Sequence, residues 1–132
     1  MTDSALSSDD PSPQADDDDQ TTVNQLKVVV ERFVEQRSWQ EFHNPKNLVM
    51  SLAIETAELM EHFQWLTPDE SLAIMDDAER AHAVGEEVAD CLAYLLAIAS
   101  KLDIDLSTTL RAKMVRNAVK YPVPPNSGST EP

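Results

Sequence analysis

A chain of 132 residues, 42% hydrophobic and 26% charged, has room for one domain with a core and too little for two ordinary ones. Its formal net charge of −14 repels a phosphate backbone, which argues against general binding of DNA or RNA. Only two glycines occur, Gly85 and Gly128, and the abundance of Ala, Leu, Glu, Met and Lys favours an all-α chain over a turn-rich β architecture.

The acidity is unevenly spread. Residues 1–20 hold Asp3, Asp9, Asp10 and Asp16 to Asp19, no base and almost nothing apolar, the composition of a disordered tail. The first helix should open at Thr22, where Thr22-Val23-Asn24-Gln25 forms a plausible capping box, and Leu26, Val29, Val30, Phe33 and Val34 follow at helical spacing. Asn44 as N-cap with Pro45 at the first helical position opens a second helix reaching about Gln64.

Thr67-Pro68-Asp69-Glu70 signals another start, and the long stretch from Pro68 to Leu102 should break near Met75 to Glu79. Gly85 marks a kink or a close helix contact in its second part. A last helix runs from the N-cap Asp105 to about Val119 and ends before Tyr121-Pro122. The proline-rich end, residues 123–132, should be a second disordered tail, leaving 21–122 as the folded domain. Four main helices with short connections predict a four-helix bundle. The apolar run Val88 to Ala99 is too extensive for one small bundle to cover, so the bundle should be completed by oligomerisation.

That same run is interrupted by Asp90 and too short to span a bilayer, and the N-terminus has no basic segment leading into an apolar one. A cytoplasmic protein with no membrane partner is expected. Cys91, the single cysteine, excludes an intramolecular disulfide and reads as a small packed hydrophobe.

Two acid pairs stand out. Leu48, Leu52, Glu55 and Leu59 share one helical stripe, with Glu58 three residues beyond Glu55. Glu87 and Asp90 repeat the spacing in the next long helix, where Asp90 is the sole charge between Val88 and Ala99. Carboxylates on faces expected to be buried need a partner, and neither segment supplies a base. Two such pairs on facing helices would converge four oxygen ligands, a donor set suited to Mg²⁺ or Mn²⁺. Tyr94 shares the face of Glu87 and Asp90, while Lys113, Asn117 and Lys120 form a polar stripe suited to phosphate oxygens.

Glu55-x-x-Glu58 followed by Glu87-x-x-Asp90 resembles the signature of the all-α nucleotide pyrophosphohydrolases, the MazG-like group. The run from Arg37 to Leu48, the segment Glu58 to Trp65 and the closing Lys113-Met114-x-x-Asn117-x-x-Lys120-Tyr121-Pro122 are similar to its short, deoxycytidine triphosphate pyrophosphatase branch. The resemblance spans about Leu26 to Pro122. It implies hydrolysis of a nucleoside triphosphate between the α and β phosphates, in keeping the nucleotide pool clean, with dCTP or a modified deoxynucleotide among the candidates.

It further implies Mg²⁺ on Glu55, Glu58, Glu87 and Asp90, which are also the catalytic residues, and a homo-oligomer, either a dimer or a tetrameric dimer of dimers. Trp39, Trp65 and His43 correspond to base contacts; Tyr94, Lys113, Asn117, Lys120 and Tyr121 correspond to sugar and phosphate contacts. Members that prefer dCTP can carry a histidine on the first helix, where this chain has Val30, so the base preference stays open. Two other classes compete: a non-catalytic helical binding module, and a di-iron bundle, for which only Glu79-x-x-His82 has the spacing.

Overall fold

The computed structural model describes residues 16–125. The tails expected to be disordered lie largely outside that range. Residues 16–20 are described, and there Gln20 and Thr21 donate their N–H groups to Asp17 O at 3.0 Å, closing a turn ahead of the first helix.

Five α-helices carry the fold, and no strand occurs among the described residues. Helix α1 spans Val23–Gln36, α2 Pro45–Glu61, α3 Pro68–Leu72, α4 Ala78–Lys101 and α5 Leu106–Lys120. Each start is held by its own side chain. Thr22 accepts from Gln25 N–H while its own N–H donates to the Gln25 side chain, completing the capping box. Asn44 accepts from Asn47 N–H with Pro45 behind it, and Thr67 and Glu70 form a second reciprocal box. Those bonds hold the Glu70 carboxyl below its ordinary pKa. Asp77 accepts from Glu79 and Arg80 N–H, both at 3.0 Å, and Asp105 from Thr108 N–H.

The break after Pro68 falls where the pattern puts it: a 3₁₀ turn over Ala73–Asp76 leads to the Asp77 cap. Two boundaries differ. Helix α2 stops at Glu61, and hydrogen-bonded turns carry the chain from His62 to Leu66 instead of a last helical turn to Gln64. Helix α5 gains one residue and ends at Lys120.

Packing centres on α4. Helix α2 lies along it, and α1 packs against it from another side. Among the described residues Val34, Leu48, Ile74, Val84, Leu96, Ala97 and Ala99 form the buried apolar core, with Leu48 the one large side chain that is fully enclosed. The connection between α1 and α2 is stiffened by Asn47, whose side-chain NH₂ donates to Phe42 O at 3.2 Å. Ser38 holds a left-handed φ of 54° there, turning the chain out of α1 before Trp39.

Helix α5 stands apart. It has no buried residue and no extensive contact with any other helix, although Lys27 in α1 donates to Ile104 O at 2.8 Å just before α5 begins. Within this chain the helices therefore fall short of a closed four-helix bundle. The apolar run of α4 is likewise uncovered along one face: Val88, Leu92 and Leu95 are exposed, and only Leu96, Ala97 and Ala99 are buried. No helix of the described residues is long and apolar enough to cross a membrane.

Gly85 lies inside the uninterrupted α4, and a Cβ built there meets nothing within 4 Å. No close contact within the chain requires the glycine. Replacing it with Ala should raise stability by ~1 kcal/mol in chemical denaturation, the usual helix-interior difference. A loss instead would show that another chain lies against that face. Leu48→Ala, at the most enclosed core position, should cost ~2–5 kcal/mol in the same measurement.

Candidate metal and nucleotide site

The register of α2 on α4 is marked by one polar contact. Thr56 donates its hydroxyl to Leu52 O at 2.8 Å and lies 3.9 Å from Cys91 Sγ across the helix pair. Thr56 follows Glu55 and Cys91 follows Asp90, so this contact marks the two acid pairs as lying at the same level of the interface. Glu55, Glu58 and Glu87 each offer a carboxylate oxygen, and these atoms lie within 4.8 Å of one another.

The fourth acid differs from that expectation in placement. Asp90 is not one of the three converging groups and is exposed, yet its charge acts on both Glu55 and Glu87. The depth also differs. Glu55 and Glu87 are half-buried while Glu58 is exposed, because the apolar faces around them are only partly covered within the chain.

The electrostatics of the cluster are one-sided. Desolvation raises the Glu55 carboxyl pKa above its ordinary value, and Glu58, Asp90 and Glu87 raise it further. Glu87 is raised by desolvation, then by Glu58 and Asp90, with His62 the one opposing influence. Glu87 Oε2 is shut off from solvent with no hydrogen-bond partner. An orphaned carboxylate oxygen among converging acids fits a hard divalent cation, which would supply the missing positive charge.

Next to the acids, a recess of about 370 Å³ is lined by Phe42, His43, Asn47, Leu48, Met50, Ser51, Ile54 and Tyr94. Two of its residues, His43 and Tyr94, belong to the sequence-derived set. None of the four acids lines it, but Ile54 stands one helical turn before Glu58 on α2 and Tyr94 one turn beyond Asp90 on α4, so its wall lies on the same helix faces as those acids. The sequence reading missed Asn47, Ser51 and Ile54. Their i, i+4, i+7 spacing on α2, beside Glu55, was the available signal.

His43 also borders a second cavity of about 210 Å³ between α1 and α4, with Val30, Gln40, Ser100 and Lys101 among its lining. Burial and then the Lys101 charge lower the His43 pKa, which favours the neutral imidazole.

The remaining residues of the set lie away from the acids or on open surface. Trp39 makes an edge contact with Phe33 at 5.9 Å between ring centroids, and Arg37 stacks 3.6 Å above that same Phe33 ring. Trp65 lies in the turn after α2 and is 86% exposed. Lys113, Asn117 and Lys120 share one face of α5, with Lys120 Nζ 5.2 Å from the ring centroid of an exposed Tyr121. Since α5 has no extensive contact with α2 or α4, the chain by itself does not bring this stripe onto the carboxylates. The lone di-iron spacing is not part of the cluster either: His82 pairs with Glu86 at 3.3 Å on the surface.

A sign follows from the raised carboxyls. The folded, metal-free chain holds protons on Glu55 and Glu87 more tightly than the unfolded chain does. This part of its stability is therefore greatest below the unfolded value of 4.5 and is lost as pH rises through the raised folded values. Excess Mg²⁺ should accordingly raise Tm, more near pH ~7 than near pH ~5. Glu58→Gln should raise the metal-free Tm and remove most of the Mg²⁺ response, read by thermal denaturation.

Comparison with known proteins places this arrangement in a family. The sequence profile described as the MazG-like family matches residues 50–131. The chain is 38% identical over 110 residues to dCTP pyrophosphatase 1 of Bos taurus, a match covering 82% of this chain and 64% of that protein. It is 34% identical over 108 residues to dCTP pyrophosphatase 1 of Rattus norvegicus, with the same two coverages, 82% and 64%. The chain thus spans just under two thirds of the length of these curated relatives. A crystal structure of a pyrophosphatase from Archaeoglobus fulgidus superposes with a TM-score of 0.70 at 38% identity, over 76% of this chain and 92% of that one. The paired acids on facing helices and the matched profile agree, and the chain belongs to the MazG-like family.

Proposed function

We propose that this chain is a Mg²⁺-dependent nucleoside triphosphate pyrophosphohydrolase that yields the monophosphate and pyrophosphate. The observation that carries the reading is the convergence of Glu55, Glu58 and Glu87 beside an orphaned carboxylate oxygen and an adjoining recess. The activities for which its relatives are named, dCTP pyrophosphatase and pyrophosphatase, point the same way.

In this proposal Glu55, Glu58 and Glu87 hold the ion, with Asp90 completing the set as ligand or as a neighbouring charge. Bound Mg²⁺, or Mn²⁺, would supply Lewis-acid stabilisation of charge on the phosphoryl oxygens. Tyr94 and the recess with His43 take the nucleoside, and Trp39 and Trp65 offer faces for stacking against a base, worth ~1–3 kcal/mol per contact. Lys113, Asn117, Lys120 and Tyr121 donate to phosphate oxygens. A carboxylate of the cluster takes the proton from the water that attacks the α-phosphorus.

The same proposal includes a homo-oligomer, with a dimer of dimers as its fullest form. Helix α5 leaves Met114, Val115 and Val119 exposed on a side that excludes Lys113 and Lys120 but includes Arg111. Covering that side and the open face of Val88, Leu92 and Leu95 with a second copy would complete the bundle. It would also provide a route for the α5 stripe to reach carboxylates it does not meet within its own chain. A deoxycytidine triphosphate or a modified relative as substrate and a cytoplasmic location belong to the proposal as well, with tails at 1–20 and 123–132 flanking the 21–122 domain.

Release of pyrophosphate from a panel of nucleoside triphosphates, with Mg²⁺ and with excess EDTA, tests the reading. Metal-dependent pyrophosphate and monophosphate are expected, and the rank order names the base. Glu58→Gln and Asp90→Asn should each abolish turnover with helical circular dichroism retained. Orthophosphate as product, or full activity in both variants, would contradict it.

A further inference from the structure

The charges of this molecule are segregated between two segments that the reaction reading leaves unconnected. Helix α5 carries Arg111, Lys113, Arg116 and Lys120, all exposed, and has no acidic residue from Leu106 to Lys120. No carboxylate pairs with any of the four among the described residues. Lys113, Arg116, Asn117 and Lys120 recur at i, i+3, i+4 and i+7, so Arg116 joins the stripe already assigned to phosphate. At the other extreme, residues 1–20 hold seven acids and no base, and the last four, Asp16 to Asp19, are exposed.

The fold places the root of the acidic segment beside the start of the basic helix. Lys27 bonds Ile104 O at 2.8 Å, two residues before Leu106, and its charge acts on Asp105, the N-cap of α5. Asp19 precedes Lys27 by only eight positions, and Gln20 and Thr21 N–H bond Asp17 O in a turn directly ahead of α1. Reach is ample. The 15 residues of α5 extend ~22 Å, while nineteen residues of extended chain can span up to ~60 Å. Arg111 falls on the side of Met114, Val115 and Val119, whereas Lys113, Arg116 and Lys120 lie outside it, so covering that side with a second copy leaves these three cations open.

We propose that the acidic N-terminal segment, residues 1–19, docks on the cationic face of α5 in its own chain and there competes with the triphosphate. The inference rests on the phosphate role given to Lys113 and Lys120 above. A tethered polyanion acts at an effective concentration in the millimolar range, so a substrate must displace it. The segment raises the apparent KM without touching the reacting atoms, and it does so in a salt-dependent manner. Discrimination follows: a triphosphate with its metal competes effectively, whereas a monophosphate does not.

The test uses the full chain with a nitroxide on Ser8→Cys in a Cys91→Ser background, observing amide signals of α5 by NMR. At low salt the label should broaden Leu106–Lys120 signals, and triphosphate should relieve the broadening. Changing the seven aspartates of residues 1–20 to Asn should abolish the broadening, lower KM several-fold and leave kcat unchanged. The KM difference should vanish at high salt. Broadening reads docking whether or not the chain turns over a nucleotide, so loss of the catalytic reading and loss of this one are separable. Absence of broadening, broadening that triphosphate does not relieve, or an unchanged KM in the Asn variant overturns the proposal. So does broadening that appears when labelled chains are mixed with unlabelled, isotope-enriched ones.

Discussion

Carboxylates gathered without a matching cation are the constraint around which this molecule is organised. Among the groups that shift Glu55, every charged one is another carboxylate, and on Glu87 only His62 opposes them. In a partly desolvated helix interface such a grouping costs stability, because each charged form disfavours the others. The α2–α4 packing that imposes this cost is also the main packing of the fold, with Thr56 beside Cys91 at the level of the acid pairs. Under the proposed function a divalent ion would convert that repulsion into coordination. Such an ion would account for acids at positions where apolar residues would pack better.

The second consequence concerns size. With Leu48 the single fully enclosed large side chain among the described residues and many apolar residues of α2, α4 and α5 open, the chain draws little stability from its own core. Under the proposed oligomer these same surfaces become helix contacts, and the α5 stripe gains something to act on. Substrate site and assembly would then be one problem: the acids sit on one helix pair, and the cations sit on a helix that pair does not hold. Charge at the chain start adds a further layer, since the strongest local polyanion is rooted close to the principal group of bases.

Much of this was legible in the residues. Caps at Thr22, Asn44, Thr67 and Asp105 announced helix starts because each is a local bond between a side chain and a nearby N–H, which sequence spacing determines. The break before Asp77 and the pairing of Glu55-x-x-Glu58 with Glu87 were legible for the same reason, helical periodicity. Depth was harder to read. An apolar stripe says which face wants to be buried, not whether one chain can bury it, and so Val88 and Leu92 are exposed and Asp90 with them. The end of α2 was misplaced because no glycine or proline stops it before Leu66. Gly85 carried a signal for contact that nothing within the chain supports. The recess wall of Asn47, Ser51 and Ile54 escaped notice because polar and apolar residues mix on it, and only the docking of α4 gives it an opposite side.

The central claim is that the carboxylate cluster directs water to the α-phosphorus of a nucleoside triphosphate. Turnover in oxygen-18 water with Mg²⁺, followed by mass analysis of both products, tests it most directly. The account predicts the heavy oxygen in the nucleoside monophosphate and none in pyrophosphate. Label in pyrophosphate would mean attack at the β-phosphorus, and labelled orthophosphate would mean cleavage at the γ-phosphorus; either result would contradict it.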